Sequence, residues 1–460
     1  MTILTADRFT GIASGGLGHP GSTLAHSMAY FGGKLYVGTS SPSTRGPEDR
    51  ARIERYDPVA QTWQTVFESP VLALDAKVQA RAAGLGSSSG GGKRRQSETP
   101  ATMGREFGLR SMTVFQGAGD AAPCLYVGTM SLWGGRVLRS ADGVQFDPVT
   151  APGIDDDTVM SFRGLTSFKG KLFAAPAGTI TEQMIDRNLA PRAIVHVAQD
   201  PASGVWEPAC LPGFGDPINH GVFSLATAHG HLYAGTGSPT RGFQLWRTAA
   251  EGPAPYHWER VLTDGAWRFN HNLTTAAMVE FGGDLYLGSG IPGFGYDAEN
   301  DVGPSAAELI RLHPDGSWDL IFGEPRFTPD GLKIPLCAMG PGLDDPYNSV
   351  IWNMCVHQGT LYIGTHNWEP NDWAMHGNGA PIQGGYQLWA STDGENWTLV
   401  LADGNGSITS TGVRTLLSTP EGLYLGTSNH TRLLQIQAGL RSGITDIGAL
   451  SSGFDVLLGR

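Results

Sequence analysis

Seven copies of one short string dominate this chain. Leu35 opens LYVGT, Leu125 LYVGT, Leu172 LFAAP, Leu232 LYAGT, Leu285 LYLGS, Leu361 LYIGT and Leu423 LYLGT. Bulky residues open each copy and small residues follow, so each reads as a short strand. A second apolar stretch ending in a tight turn precedes every copy, as in MAYFGGK, MVEFGGD and MCVHQGT. A third strand follows most of them (FQLWRT, AELIRL, YQLWAS), then a turn and a short strand carrying an aromatic residue. Asp142-Gly143, Asp315-Gly316 and Asp393-Gly394 predict two-residue hairpin turns with positive φ. Four strands per repeat, seven repeats and no helical periodicity leave an all-β, seven-bladed β-propeller as the economical fold.

Most repeats stand farther apart than the roughly 40–50 residues a four-stranded blade needs, so the surplus lies in loops. Residues 84–104, GLGSSSGGGKRRQSETPATMG, read as a mobile insertion, and 366–384 as a long loop on the ligand-bearing face. The last repeat offers strands around Val413–Thr419, Leu423–Ser428 and Leu433–Gln437. Its outer strand comes either from Ile3–Ile12 or from the tail Ala438–Arg460, closing the ring near the chain ends. Residues 1–460 then form a single domain.

Glycine is frequent (65 residues) and charged residues are sparse (16%), which suits short strands and tight turns better than long solvated helices. The formal charge of −12 and the lack of a basic stripe beyond Lys93-Arg94-Arg95 exclude phosphate-neutralising nucleic-acid binding. Neither an apolar signal core nor a run of about 18 apolar residues is present, so a soluble cytoplasmic protein without membrane partners is expected. Four cysteines without a Cys-x-x-Cys argue against a disulfide scaffold; Cys124 and Cys355 sit in strand patterns as inert core thiols. The sequence sets no oligomeric state.

Aligning the first strands of the repeats exposes one equivalent position, held by His26, Arg110, Arg163, Phe223, Ala276, Trp352 and Arg414. Three arginines and a histidine there predict an electropositive arc suited to an anion. The competing reading ties each arginine to a neighbouring repeat through Asp155–Asp157, Asp216 or Asp403. Repeats 5 and 6 carry different chemistry. DGAWRFNHN brings Asp264 and His271, LDDPYNSVIW brings Asp345, Tyr347 and Trp352, and YDAENDVG brings Tyr296, Asp297 and Asp301. The stretch HNWEPNDWAMH adds His366, Asn367, Trp368, Glu369, Asp372 and His376. Asp264, His271, Asp297 and His366 are the candidate acid–base groups. His26, Arg110, Arg163, Arg414, Tyr296, Tyr347, Trp352, Asn367 and Trp368 are the candidate substrate- or anion-binding groups.

His366, Glu369, Asp372 and His376 match no metal-ligand spacing, and Pro370 argues against the helix that such a site needs. No metal is assigned. The oxygen-rich 296–303 stretch suggests a structural calcium without the EF-hand pattern; no cofactor is required. Serine-elbow, phosphate-loop and dinucleotide signatures are absent.

REFGLRSMTVFQG (105–117), RVLRSADGVQFDPV (136–149), FRGLTSFKGKLFAAPAG (162–178), GFGDPINHGVFSLA (213–226) and AELIRLHPDGSWDLI (307–321) resemble a family of bacterial seven-bladed propellers. That family is related to the alkylating enzymes of cylindrocyclophane and bartoloside assembly. The resemblance implies displacement of halide from an alkyl chloride by a resorcinol carbon or a carboxylate oxygen. Those enzymes also carry a calcium-binding domain before the propeller, with the site between the two. Here the first repeat begins near residue 24, so that half of the site, with its arginine, is expected to be missing. The expectation is an enzyme acting on a small organic substrate. The alternative is a non-catalytic module binding a peptide, glycan or partner protein.

Overall fold

The computed structural model describes residues 2–41, 46–85, 100–154, 156–181, 184–292, 295–297, 301–376, 384–439 and 451–460. Most regular structure is antiparallel strand, with a few short helices. The chain divides into two compact units. Unit 1 comprises Met1–Ala25, Ala226–Trp246 and Arg260–Arg460; unit 2 comprises His26–Leu225 and Arg247–Glu259. Among the described residues, no helix is long and apolar enough to cross a membrane.

Unit 2 is built of four-stranded antiparallel meanders. One runs through Leu24–Phe31 (in this unit from His26), Lys34–Ser40, Arg52–Asp57 and Thr62–Glu68. The next comprises Gly108–Phe115, Cys124–Met130, Val137–Ser140 and Asp147–Pro148. The third comprises Val159–Phe168, Lys171–Ile180, His196–Ala198 and Glu207–Pro208. Unit 1 repeats the plan in Thr274–Phe281, Asp284–Gly290, Leu309–Leu312 and Trp318–Phe322. Asn348–His357, Thr360–Asn367, Leu388–Ser391 and Thr398–Leu401 follow it again.

The last meander corrects one expectation. Residues 433–437 are helical, within Thr431–Gly439, because Asn429 accepts the Thr431 N–H at 3.0 Å and starts a helix where a strand was expected. The third strand is Val456–Gly459 from the tail, and the outer strand is Phe9–Ala13 from the N-terminal segment. Both chain ends therefore contribute, one beside the other. Of the expected insertion 84–104, residues 86–99 lie outside the described residues. Ala76–Leu85 is helical, and Thr102–Gly104 pairs with Val71–Ala73.

The Asp-Gly turns also differ in detail. Gly143, Gly316 and Gly394 take positive φ (71°, 88° and 80°), whereas the aspartates do not. Each aspartate instead accepts backbone N–H groups two or three residues on, such as Val144 N at 2.8 Å and Gln145 N at 2.9 Å for Asp142. A second turn precedes the first strands and was not read from the sequence. Gly16-Leu17, Gly265-Ala266, Gly342-Leu343 and Gly404-Asn405 in unit 1 are successive left-handed pairs, as are Gly153-Ile154 and Gly213-Phe214 in unit 2. In each pair the glycine N–H donates to the start of a third-strand segment, for example Gly342 to Ala307 O at 2.7 Å and Gly213 to Ala193 O at 2.7 Å. These corners hold Asp264, Asp344 and Asp403, all with positive φ.

The glycine of the repeated string sets how closely consecutive sheets approach. A Cβ on Gly364 would stand 2.3 Å from Val413 Cβ, and one on Gly288 2.5 Å from Ile351 Cβ. In unit 2, a Cβ on Gly38 would stand 2.9 Å from Leu109 Cβ, and one on Gly128 2.7 Å from Phe162 O. The first strand of one sheet thus lies directly on the second strand of the sheet before it. At that contact the first strands bulge. Leu109 pairs with Thr129 and Ser111 with Gly128, leaving Arg110 unpaired in the ladder; Arg163, Ala276, Trp352 and Arg414 are skipped in the same way.

Gly364→Ala should destabilise the protein by about 2 kcal/mol or more, since the new methyl overlaps packed backbone-proximal atoms. Val413→Gly in the same chain, which removes the Cβ that the new methyl would meet at 2.3 Å, should cost less in the Gly364→Ala background than in the wild type. Denaturant unfolding of both single variants and the double variant measures it; simple additivity would show that Gly364 and Val413 do not share a contact.

Candidate functional site

The bulges present in unit 1 two of the residues that the repeat alignment singles out. Arg414 projects over Trp352, its guanidinium carbon 5.3 Å from the ring centroid. Trp352 meets the His366 ring edge-on at 4.7 Å, and His366 meets His430 at 5.5 Å. Hydroxyls orient the imidazoles. Ser349 Oγ lies 3.2 Å from His366 Nδ1, Thr411 Oγ1 2.9 Å from His430 Nδ1, and Ser428 Oγ 3.3 Å from His430 Nε2. The indole is fixed as well, because a Cβ on Gly412 would fall 2.3 Å from Trp352 Cζ3. Only glycine leaves room for the ring there.

The electrostatics follow from enclosure. Burial holds His430 down to about 4, and burial together with the neighbouring His430 holds His366 well below the usual histidine range. Both imidazoles are therefore neutral at pH 7. Burial also lowers Arg414 to about 10, which leaves it charged. Arg414 has no acidic partner among the described residues, its Nε makes no hydrogen bond, and part of its side chain remains accessible. Among the described residues it is a charged group without a counter-ion.

The helix Glu369–His376 corrects the expectation drawn from Pro370. Proline in the first helical turn removes no needed hydrogen bond, and Asn367 Oδ1 accepts the Glu369 N–H at 3.1 Å. This helix packs against Thr431–Gly439. Residues 377–383 of the expected loop, and the His376 side chain, lie outside the described residues. Beside this helix, Tyr347 and Trp368 meet edge-on at 5.0 Å, and Tyr347 OH donates to Asp372 Oδ2 at 3.3 Å. Asn367 donates to Asp345 Oδ2 at 2.9 Å and to Asn348 Oδ1 at 3.1 Å, and Gln387 donates to Asp345 at 2.9 Å. Burial still pushes the Asp345 carboxyl above its ordinary range. Burial, then the nearby carboxylates Asp345, Asp403 and Asp372, raise Glu369. Among the described residues, no group of three or more His, Cys, Asp or Glu side chains is placed to hold a metal ion.

Elsewhere in unit 1, Asp264 is buried at its corner and pairs with Arg241 at 2.6 Å. His271 is exposed in the turn Phe269–Asn272. The structure does not bring Asp264 or His271 to the Arg414 group. Asp297 bridges Val302 through its backbone, and Tyr296 OH donates to Asp301 at 2.7 Å; residues 298–300 of the calcium-like stretch lie outside the described residues. In unit 2, His26 is buried on Leu24–Phe31. Arg110 donates to Ser161 Oγ (2.8 Å), Arg187 O (2.5 Å) and Asn188 Oδ1 (2.7 Å). Arg163 also donates to Asn188 Oδ1 and lies 4.2 Å over the Phe223 ring. Of the carboxylates expected to tie the arginines, Asp157 pairs with Lys77 and Arg81, and Asp155 lies outside the described residues.

The sequence reading missed His430 and its hydroxyl partners. The signal was available in register: Thr365-His366-Asn367-Trp368 aligns with Thr427-Ser428-Asn429-His430, and both asparagines start a helix.

No protein-family model matches the chain, and no curated protein matches it. Among solved structures, it is similar to the GH93 α-L-arabinofuranosidase of Fusarium graminearum, in complex with arabinobiose. The two share 10% identity over 75% of this chain and 88% of that one, with a TM-score of 0.39. It is also similar to the GH74 xyloglucanase from Xanthomonas campestris, at 14% identity over 92% of this chain and 53% of that one, with a TM-score of 0.44. At these identities and scores, neither substrate nor activity carries across.

A buried neutral histidine adds stability that is present above its unfolded pKa of about 6.5 and is lost as pH falls toward its folded value. For His430 that window runs from about 6.5 down to about 4, with a loss of up to about 3 kcal/mol. His430→Asn, which keeps a partner for Thr411, should flatten the fall in stability across this window. Urea unfolding at stepped pH reads it; parallel acid limbs for the two proteins would overturn the assignment.

Proposed function

We propose that this protein is a seven-bladed β-propeller enzyme that acts on a small organic anion held at Arg414. The uncompensated Arg414 charge is the observation that carries the reading. A guanidinium enclosed by protein, without a carboxylate partner among the described residues and placed over an indole, is arranged to take its counter-ion from a ligand. The propeller reading draws support from recurrence within each unit. The meanders, the left-handed corners and the bulges repeat, and Phe9–Ala13 completes the last sheet beside Val456–Gly459.

Arg414 binds negative charge on the substrate or on a departing group. His366 and His430 offer neutral imidazoles that give or take a hydrogen bond without adding a second cation. Within this reading, the reaction implied by the sequence resemblance would break the carbon–chlorine bond of an alkyl chloride, with chloride leaving on Arg414; a carboxylate oxygen would form the new bond directly, and a resorcinol carbon would form it with its ring proton passing to solvent. A non-catalytic binding module is the second reading, favoured by one observation: a histidine with a pKa of about 4 is a weak base at pH 7.

Crystals soaked in bromide should show an anomalous peak within hydrogen-bond distance of the Arg414 guanidinium, and Arg414→Met should abolish it. An unoccupied Arg414 in the wild type would remove the basis of the proposal. Incubation with alkyl chlorides and resorcinols, read by mass, separates the two readings: a coupled product that disappears in Arg414→Met supports the enzyme. Ligand binding without turnover supports the module.

A further inference from the structure

Arg414, Trp352, His366 and His430 form a continuous row of planar groups. The guanidinium lies over the indole, the indole meets one imidazole, and that imidazole meets the next. Three features of this row select among anions. One guanidinium supplies one positive charge in a planar fork, which matches the two oxygens of a carboxylate. The imidazoles add none, so a dianion would keep an uncompensated charge in a partly enclosed place. The aromatic wall beside the charge is held in position before any ligand arrives, since Trp352 occupies the space left by the absent side chain of Gly412. A flat body gains contact with such a wall; a spherical halide gains nothing from it.

We infer that the anion bound at Arg414 is a planar monocarboxylate on an aromatic or similarly flat body, in preference to phosphate or halide. This rests on the reading of Arg414 as the anion-binding group. Trp352 is then the residue that sets ligand shape, and Arg414 the residue that sets ligand charge. Arg110 and Arg163 of unit 2 differ in that their guanidinium donors are engaged by protein oxygens, among them the shared Asn188 amide oxygen.

Isothermal titration of the whole protein with benzoate, acetate, benzamide, inorganic phosphate and bromide tests the inference. Benzoate should bind at least tenfold more tightly than acetate, phosphate or bromide, and benzamide should not bind measurably. Arg414→Met should weaken benzoate at least tenfold, whereas Trp352→Leu should bring benzoate and acetate together while leaving acetate little changed. Phosphate or bromide binding as tightly as benzoate, and lost in Arg414→Met, would overturn the ligand class but keep the anion site. Benzoate binding that survives Arg414→Met, or no anion binding at all by the wild type, would overturn both. The ligand ranking uses the wild type alone, so it does not depend on either variant folding.

Discussion

The close approach of one sheet to the next, over the glycine of the repeated string, is the constraint on which the rest depends. Gly38, Gly128, Gly288 and Gly364 have no room for a methyl group, because the following sheet's first strand lies against them. The glycine gives up side-chain contacts and backbone rigidity, yet it lets Leu109, Phe162, Ile351 and Val413 pack against backbone. These four are fully buried, and they anchor the first strands in register. Burying a side chain of this size contributes about 1.5–3 kcal/mol, which exceeds the cost of a glycine in a strand.

That anchoring explains the bulge beside it. The anchored residue faces the preceding sheet, and the strand must also continue its ladder with its own second strand. The extra residue takes up the mismatch and leaves the pairing. In unit 1 the extruded positions include Trp352 and Arg414; in unit 2 they include Arg110 and Arg163. A packing solution repeated for structural reasons thus creates a series of re-aimed side chains, and the chemistry depends on which residue occupies each position. Ala276 at one of them carries none. Arg414 and Trp352 together carry charge and shape.

Helix starts complete the site. Asn367 and Asn429 each accept a backbone N–H two residues on, and the helices that follow pack together. His366 stands just before the first cap and His430 just after the second, so each ring flanks a helix start and is held by its own hydroxyl partners. Enclosure between these elements removes water from the imidazoles and keeps them neutral. The same enclosure would raise the cost of an unpaired guanidinium, which the indole face offsets by about 1–2 kcal/mol.

Strand content, the repeat and the equivalence of Arg110, Arg163, Trp352 and Arg414 were legible in the sequence. They depend on local residue preference and on a fixed offset from a recognisable string. The bulges were not legible, because they arise from contact with a sheet remote in sequence. Nor was the pairing of Val456–Gly459 with Phe9–Ala13, which brings together segments at opposite ends of the chain. Pro370 and Leu433–Gln437 misled for a related reason: each lies just beyond an asparagine cap, and the cap starts a helix that short-range apolar patterning does not announce. The sequence by itself determined that the chain makes repeated four-stranded units and which side chains share one position in them. Only the tertiary structure decided which of those side chains meet. The ring contacts among Arg414, Trp352, His366 and His430 depend on distances between strands, and sequence spacing does not encode those distances.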